Sequence, residues 1–469
     1  VNTRKIVIVL AVVLVATSAA AFGTFNFGEF RDNQLEAHSQ QLFGIVSAVG
    51  PSSNESISAG QAEADPTALV TLAKGLHARV LSAHPALGAN LDMMALWPND
   101  ANPTHIIACN EQGTTQPAVQ RIRISNGQVE TILTGMNACD PVKRTAWGTV
   151  IVGEEVGNTG WLLEIINPLA TTNVAFNRTT GVLSGANAGN IATRPAVGRN
   201  SFEGLALYPN GLLYYGDENR PSQGTAGGAY FKFIPANPWA GGTISNLSQS
   251  PLTAGTVYGL RLGKRSNNTD YGQGTNTGKG VWVPITPNNG NNVDLRAAAA
   301  LLKLTGYYRP EDAEIDPVAL AQGQVRFCGN NTGNEIDDSN FGETICVTDG
   351  TLANAMTNVS VPEVQYLVIG TPDLAMMDNL TYQPIRGNWI IQEDGDGPDV
   401  GRNNDMWSCV EDGDDDDKLS DGCAKIGTLN DLNAEWTGGI FDQFGNHFYV
   451  SVQHNITGHG VILDITGWK

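Results

Sequence analysis

Basic residues are scarce in this chain. Twenty-seven Lys and Arg stand against 47 Asp and Glu, a formal charge of −20, so its surface repels nucleic acid rather than attracting it. Histidine is scarcer still: seven are present, and none forms the His-x₃-His pair of a helix-borne zinc site. The glycine-rich Gly224-Thr225-Ala226-Gly227-Gly228 is not followed by Lys-Ser/Thr, which removes a phosphate-cradling P-loop. The acidic runs Glu393-Asp394-Gly395-Asp396-Gly397 and Glu411-Asp412-Gly413-Asp414-Asp415-Asp416-Asp417 look like calcium loops but lack the glutamate that closes an EF-hand.

What is present is glycine, proline and apolar residues. With 54 Gly, 22 Pro and 41% apolar content in 469 residues, the chain has many turns and enough apolar mass for a sizeable core. Residues 1–24 read as a targeting segment: a basic start at Arg4 and Lys5, an apolar run Ile6–Ala16, and the small residues Ala19-Ala20-Ala21. The alternative is an uncleaved anchor, because the low-charge stretch Ile6–Phe25 has about 20 residues. Either reading exports the bulk of the chain, to the periplasm, the exterior or the cell surface. A membrane is a partner only if the segment is retained. Export bears on the six cysteines, since an oxidising compartment invites disulfides. Cys328/Cys346 and Cys409/Cys423 are close enough to staple local hairpins. Cys109 and Cys139 then remain, either bonded to each other or with Cys139 free.

Residues 25–100 read as a helical and linker extension. Leu35, Leu42, Ile45 and Val46 fall near helical spacing, as do Leu69, Leu72, Leu76 and Val80. From about His105 the texture becomes short β runs separated by Gly, Asn and Pro, with one helical interruption at Leu295–Leu304. A degenerate repeat runs through them. Phe202-Glu203-Gly204-Leu205-Ala206-Leu207-Tyr208-Pro209-Asn210-Gly211-Leu212-Leu213-Tyr214-Tyr215 parallels Met377-Asp378-Asn379-Leu380-Thr381-Tyr382-Gln383-Pro384-Ile385-Arg386-Gly387-Asn388-Trp389-Ile390 and Trp436-Thr437-Gly438-Gly439-Ile440-Phe441-Asp442-Gln443-Phe444-Gly445-Asn446-His447-Phe448-Tyr449. Pro310-Glu311-Asp312-Ala313 opens a looser copy. Each copy reads as polar residue, strand, turn, strand, the pattern of a blade whose innermost strand lines a channel. The fold expected is all-β: a six-bladed β-propeller over residues 101–469 with additional helices, chiefly N-terminal.

Such a propeller gathers the residues that open each copy, Glu203, Glu311, Asp378 and Glu435, around one axis. Glu154 and Glu155 at the end of the Val150-Ile151-Val152 strand belong to the same class. Carboxylates crowded together repel unless cations neutralise them, so a metal cluster is implied. Arg309, two residues from Glu311, suits a forked anion clamp, and Asn110 offers a further donor.

The ordered motifs then identify a family likeness. Cys139 with Trp147-Gly148-Thr149 and Glu154-Glu155, Gly198-Arg199-Asn200-Ser201-Phe202-Glu203, Arg309-Pro310-Glu311-Asp312, Asp378-Asn379-Leu380, Glu435-Trp436-Thr437-Gly438 and Gln453-His454 resemble the PhoX-type alkaline phosphatases. That resemblance implies an exported enzyme hydrolysing phosphate monoesters, with diesters as a further class, at a centre of Fe3+ and Ca2+. It implies Cys139 as a thiolate on iron, and Glu154, Glu155, Glu203, Glu311, Asp378 and Glu435 as oxygen ligands. Arg309 and Asn110 would hold the substrate phosphate, in a chain acting as a monomer. Two positions depart from the family: Phe202 where a histidine is usual, and Gly153 where a cysteine is common. The competing reading is a calcium-stabilised surface propeller without catalysis. A third is a propeller lactonase, needing calcium but neither iron nor Cys139.

Overall fold

A computed structural model describes residues 27–221, 226–263, 277–285, 292–334, 339–395, 397, 401–413 and 417–469. The targeting segment, Gly224-Thr225, Asp396 and Asp414–Asp416 lie outside the described residues. The sheets fan around six inner strands: Leu91–Trp97, Cys139–Arg144, Leu205–Leu207, Pro310–Ile315, Met377–Tyr382 and Glu435–Phe441. They define blades 1 to 6 in chain order. Each runs down the axis, turns, and climbs back as a second antiparallel strand farther out. Blades 3 and 4 are joined in one nine-stranded sheet, because Gly278–Pro284 pairs with the edge strands of both. The result is the β-propeller anticipated from the repeat.

The extension departs from expectation. Val70–Leu72 and His77–Ser82 are strands, not helix. The first pairs with Cys423–Leu429 and becomes the outermost strand of blade 5; the second pairs with Ile462–Thr466 and completes blade 6. The i, i+3, i+4 spacing of Leu69, Leu72, Leu76 and Val80 is genuine, but strand edges left open by the C-terminal blades outweigh it. Blade 1 likewise begins before residue 101, at Leu91.

Packing lies between blades. Trp147, Phe202, Tyr215 and Phe231 fill one interblade layer, Tyr214, Tyr230 and Phe327 the next, and Ile390, Trp436 and Phe448 a third. Stacked sheets of this kind hold the inner strands rigidly and leave their polar starts pointing at the axis.

Candidate metal centre

Every inner strand opens on an acid. Asp92, Asp140, Glu203, Glu311, Asp378 and Glu435 stand one per blade at the same end of the channel, all buried. In blades 1, 2, 4 and 5 the ladder register slips at this point, between Leu91 and Met94, Cys139 and Val142, Pro310 and Ala313, and Met377 and Leu380. Such bulges re-aim a side chain that regular pairing would send elsewhere. In three blades the residue two before the acid is also left-handed: Ala138 at φ 44, Arg309 at 62 and Met376 at 50. Non-glycine residues rarely adopt that conformation, and it recurs at strained functional positions.

A second tier comes from the ends of the second strands. Glu111, Glu155, Glu218 and Asp394 follow the returning strands of blades 1, 2, 3 and 5. Blade 4 offers Thr332, whose hydroxyl donates to Glu311 at 2.8 Å, and blade 6 offers His454, 3.4 Å from Glu435.

Ligand-capable oxygens form three linked groups: Asp140, Glu155 and Glu203; Glu203, Glu311 and Asp378; Asp378, Asp394 and Glu435. Within each group they lie within 4.8 Å of one another. Glu203 and Asp378 each belong to two groups, as bridging carboxylates do. One oxygen each of Asp92, Asp140, Glu203, Glu311 and Asp378 is buried and accepts no hydrogen bond among the described residues. A buried carboxylate oxygen without a partner is costly, and five at one place fit a polynuclear site for hard cations with oxygen donors.

Burial and mutual repulsion favour the neutral form of these acids wherever no cation neutralises them. Burial and the nearby Asp140, Glu311 and Asp378 hold Glu203 well above the usual carboxylate range. Burial pushes Asp140 up to about 7 even though Glu203 hydrogen-bonds to it. Burial and repulsion raise Asp92, Asp378 and Glu435 in the same way.

The only arginine inserted among these acids is Arg309, among the described residues. Its Nε lies 2.5 Å from Glu218 and 3.1 Å from Glu311, and Nη1 lies 3.2 Å from Asp394. Burial alone would lower its pKa, but Glu311, Glu218 and Asp394 hold it well above the ordinary value. Burial would raise Glu218, but Arg309 together with hydrogen bonds from Glu155 and Ser201 holds it low. Behind it, Arg296 grips Asp217 with two bonds of 2.8 Å and the Glu218 carbonyl at 2.9 Å.

Three residues singled out in the sequence take other roles. Cys139 is bonded to Cys109, so its sulfur offers no thiolate. Glu154 turns away from the axis, because adjacent strand residues face opposite sides and Glu155 takes the axial one. Its carboxylate accepts from Arg178, at 3.2 Å to each oxygen, and from the Asn137 and Trp161 amides. Asn110 is spent on the scaffold, donating to the Pro117 carbonyl at 2.6 Å and accepting from the Asn90 amide. The two departures from the family touch each other: a β-carbon on Gly153 would lie 2.9 Å from Phe202 and 2.7 Å from Pro141. Phe202 fills the space that a larger residue at 153 would need.

Four acids at the site escaped the reading of the sequence, Asp92, Asp140, Glu111 and Glu218, while Asp394 enters it only within an acidic run that resembles a calcium loop. The signal for the first was available. Leu96-Trp97-Pro98-Asn99-Asp100 echoes Leu207-Tyr208-Pro209-Asn210-Gly211, which makes Asp92-Met93-Met94-Ala95 a further copy of the repeat.

The sequence model of the family described as alkaline phosphatase PhoX matches residues 186–455, more than half of the chain. The chain belongs to the PhoX alkaline phosphatase family. It is accordingly a phosphatase, a phosphoric ester hydrolase of a metal-dependent family. Among solved structures, PhoX of Pseudomonas fluorescens in complex with vanadate, a transition state analogue, superposes with a TM-score of 0.60 at 15% identity, covering 89% of this chain and 98% of that one. At that identity the likeness speaks for the propeller fold. A gluconolactonase of Xanthomonas campestris aligns with a TM-score of 0.41 at 12% identity, over 89% of this chain and 94% of that one. No curated protein matches the sequence.

Proposed function

We propose that this PhoX-family protein hydrolyses phosphate monoesters, and diesters as a second class, outside the cytoplasm. Asp92, Asp140, Glu155, Glu203, Glu311, Asp378, Asp394 and Glu435 would hold a cluster of Ca2+ and Fe3+. The observation that carries the reading is the set of five buried, unpartnered carboxylate oxygens converging beside Arg309. With the Cys109–Cys139 disulfide closed, the donors for both ions are oxygens, which suits hard cations. Bound metals would supply Lewis-acid polarisation of the phosphoryl oxygens and a water acidified enough to attack at neutral pH.

The chain's own part is positioning and charge. Arg309 presents a planar fork that pairs two phosphate oxygens and stabilises charge as it builds on them. Glu218 and Asp394 hold that fork from two sides, so its orientation is set before the ester arrives. His454, half-exposed and 3.4 Å from Glu435, is the residue this reading assigns to return a proton to the leaving alcohol. The three disulfides suit an exported enzyme, and the natural substrate would be a small soluble ester met by a monomer.

Metal analysis of the purified protein together with p-nitrophenyl phosphate turnover tests this. Iron and calcium with phosphate release are expected. Calcium alone without turnover favours the non-catalytic propeller.

A further inference from the structure

Blades 2 and 5 alone, among the described residues, place both tiers of acids in one ligand group: Asp140 with Glu155, and Asp378 with Asp394. In each of these blades the residue before the second-tier acid is a fully buried glutamate, Glu154 in blade 2 and Glu393 in blade 5. Strand alternation turns both away from the axis. At the same position blades 1, 4 and 6 carry the amides Asn110, Asn331 and Gln453. The two glutamates make matching bonds. One oxygen of each accepts the amide just ahead of the left-handed residue that leads into the inner strand. These donors are Asn137, before Ala138, at 2.8 Å, and Ala375, before Met376, at 3.0 Å. The other oxygen accepts an amide where the third strand begins, Trp161 at 3.1 Å and Asp405 at 2.8 Å.

An arginine fork then closes both oxygens of each glutamate. Arg178 donates to Glu154 at 3.2 Å on either oxygen, and Arg402 to Glu393 at 2.6 and 3.3 Å. The glutamates recur with the blade, but the arginines do not. Arg178 follows strand Val174–Asn177 of the blade 1 sheet, whereas Arg402 precedes the third strand of blade 5 itself. Two unrelated elements thus bring the same fork to the same place. Stability does not select it, since a buried ion pair gains little over neutral groups of similar size, and amides occupy the position in three other blades. What the fork adds is fixity. A carboxylate accepts on both oxygens and so holds two amides and a fork at once, where a side-chain amide has a single accepting oxygen.

We propose that Arg178 and Arg402 are positioning residues of the metal centre. Each locks a glutamate that is bonded to the root of the inner acid and is the chain neighbour of the second-tier acid. The locked glutamate thereby sets the gap between the two carboxylates that close on one cation. This role presupposes the cation cluster proposed above. In blade 3 the corresponding fork, Arg296 on Asp217, stands behind Glu218. Glu218 belongs to none of the three ligand groups and pairs with Arg309, so there the fork serves the anion clamp instead.

The test titrates Tb3+, an oxygen-seeking stand-in for Ca2+, into the full chain after dialysis against a chelator. Its luminescence lifetimes in H2O and D2O count the waters left on the bound ion. The unaltered chain is compared with the double variant Glu393→Gln/Arg402→Met, in which Asp405 keeps Lys425 at 2.6 Å. The control is Lys232→Met/Asp349→Asn, which neutralises a buried pair at 2.9 Å that belongs to no ligand group. Neither double variant strands a buried charge. The blade 5 variant should bind Tb3+ about 10- to 100-fold more weakly, with more waters per ion, while the control binds as the unaltered chain does. Arg402→Lys keeps the charge without the fork; it should fall between, and it carries the test if the double variant does not fold. The proposal is overturned if the blade 5 variants match the unaltered chain in affinity and water count, or if the control loses affinity equally. An unaltered chain that takes up no Tb3+ overturns the metal reading and this role together. Tb3+ uptake without release of phosphate from p-nitrophenyl phosphate, once Ca2+ and Fe3+ are supplied, overturns the phosphatase reading and leaves the positioning role standing.

Discussion

The two ends of one channel are built from the same six strands and balance charge in opposite ways. At the lower end a cavity of about 240 Å³ is lined by Met94, Leu207, Leu380 and Ile440 with a few charged groups. There Lys143 lies 2.8 Å from Glu314 and Arg144 2.6 Å from Asp100. At the upper end the acids outnumber the inserted arginine many times over, and five oxygens lack partners. The lower end is complete as a protein structure. The upper end has a deficit of positive charge that no side chain among the described residues meets. The comparison teaches that a high density of acids is not itself the mark of a metal site; imbalance under burial is.

Removing metal should widen the contrast most. Chelation is expected to cut turnover to below about one-thousandth. It should also destabilise the fold by about 4 kcal/mol if the ions are held at a thousandfold above Kd, read by thermal melts with and without chelator. Asp378→Asn, at a carboxylate shared by two of the ligand groups, should lower kcat/KM on the order of 10²–10³-fold and reduce the metal content. Its lower-end counterpart Glu314→Gln should leave the metals in place and shift stability by about 1 kcal/mol or less. If both variants lose metal equally, the contrast fails. Arg309→Lys keeps the charge but not the fork, and a fall in kcat/KM of about 10²-fold is expected.

The contrast also has a pH signature. Asp140 is raised to about 7 from an ordinary 3.8, so the metal-free folded chain binds a proton that the unfolded chain releases. Stability is therefore greatest below about pH 4 for this group and declines as pH rises toward 7. Loading with metal displaces those protons and should flatten that decline; urea melts at pH 5 and 8 with and without chelator check it. The smallest effect is expected from Arg296→Ala. It holds the Asp217 carboxylate and the Glu218 carbonyl behind the site, and its loss should cost about tenfold in kcat through loss of charged hydrogen bonds, with KM and metal content little changed.

Much of the architecture was legible because a blade repeats: Glu203, Asp378 and Glu435 each precede a strand–turn–strand of the same texture. The structure brings those acids together with Glu311. Glu154 and Glu155 could not both face the axis, and only strand register decides which does. Cys139-Asp140-Pro141 reads as a turn, so the acid inside it passes unnoticed; a bulge, invisible in periodicity, is what aims it inward. Cys139 drew attention as a ligand through family resemblance, whereas its partner Cys109 lies on the adjoining blade, a proximity set by fold closure. The strands at 70–82 were hidden for a like reason, their partners lying more than 340 residues away.

Those two early strands carry a consequence for how the protein is made. Residues 70–82 emerge early from synthesis and must await partners at residues 423–429 and 462–466. Until then the ring is an open arc, and Asp92 on blade 1 does not face Glu435 on blade 6, whose charges meet across the seam in the finished fold. Such long-range closure is slow. A half-folded chain would present scattered acids rather than a cage, so capture of cations at this site would have to await closure of the ring.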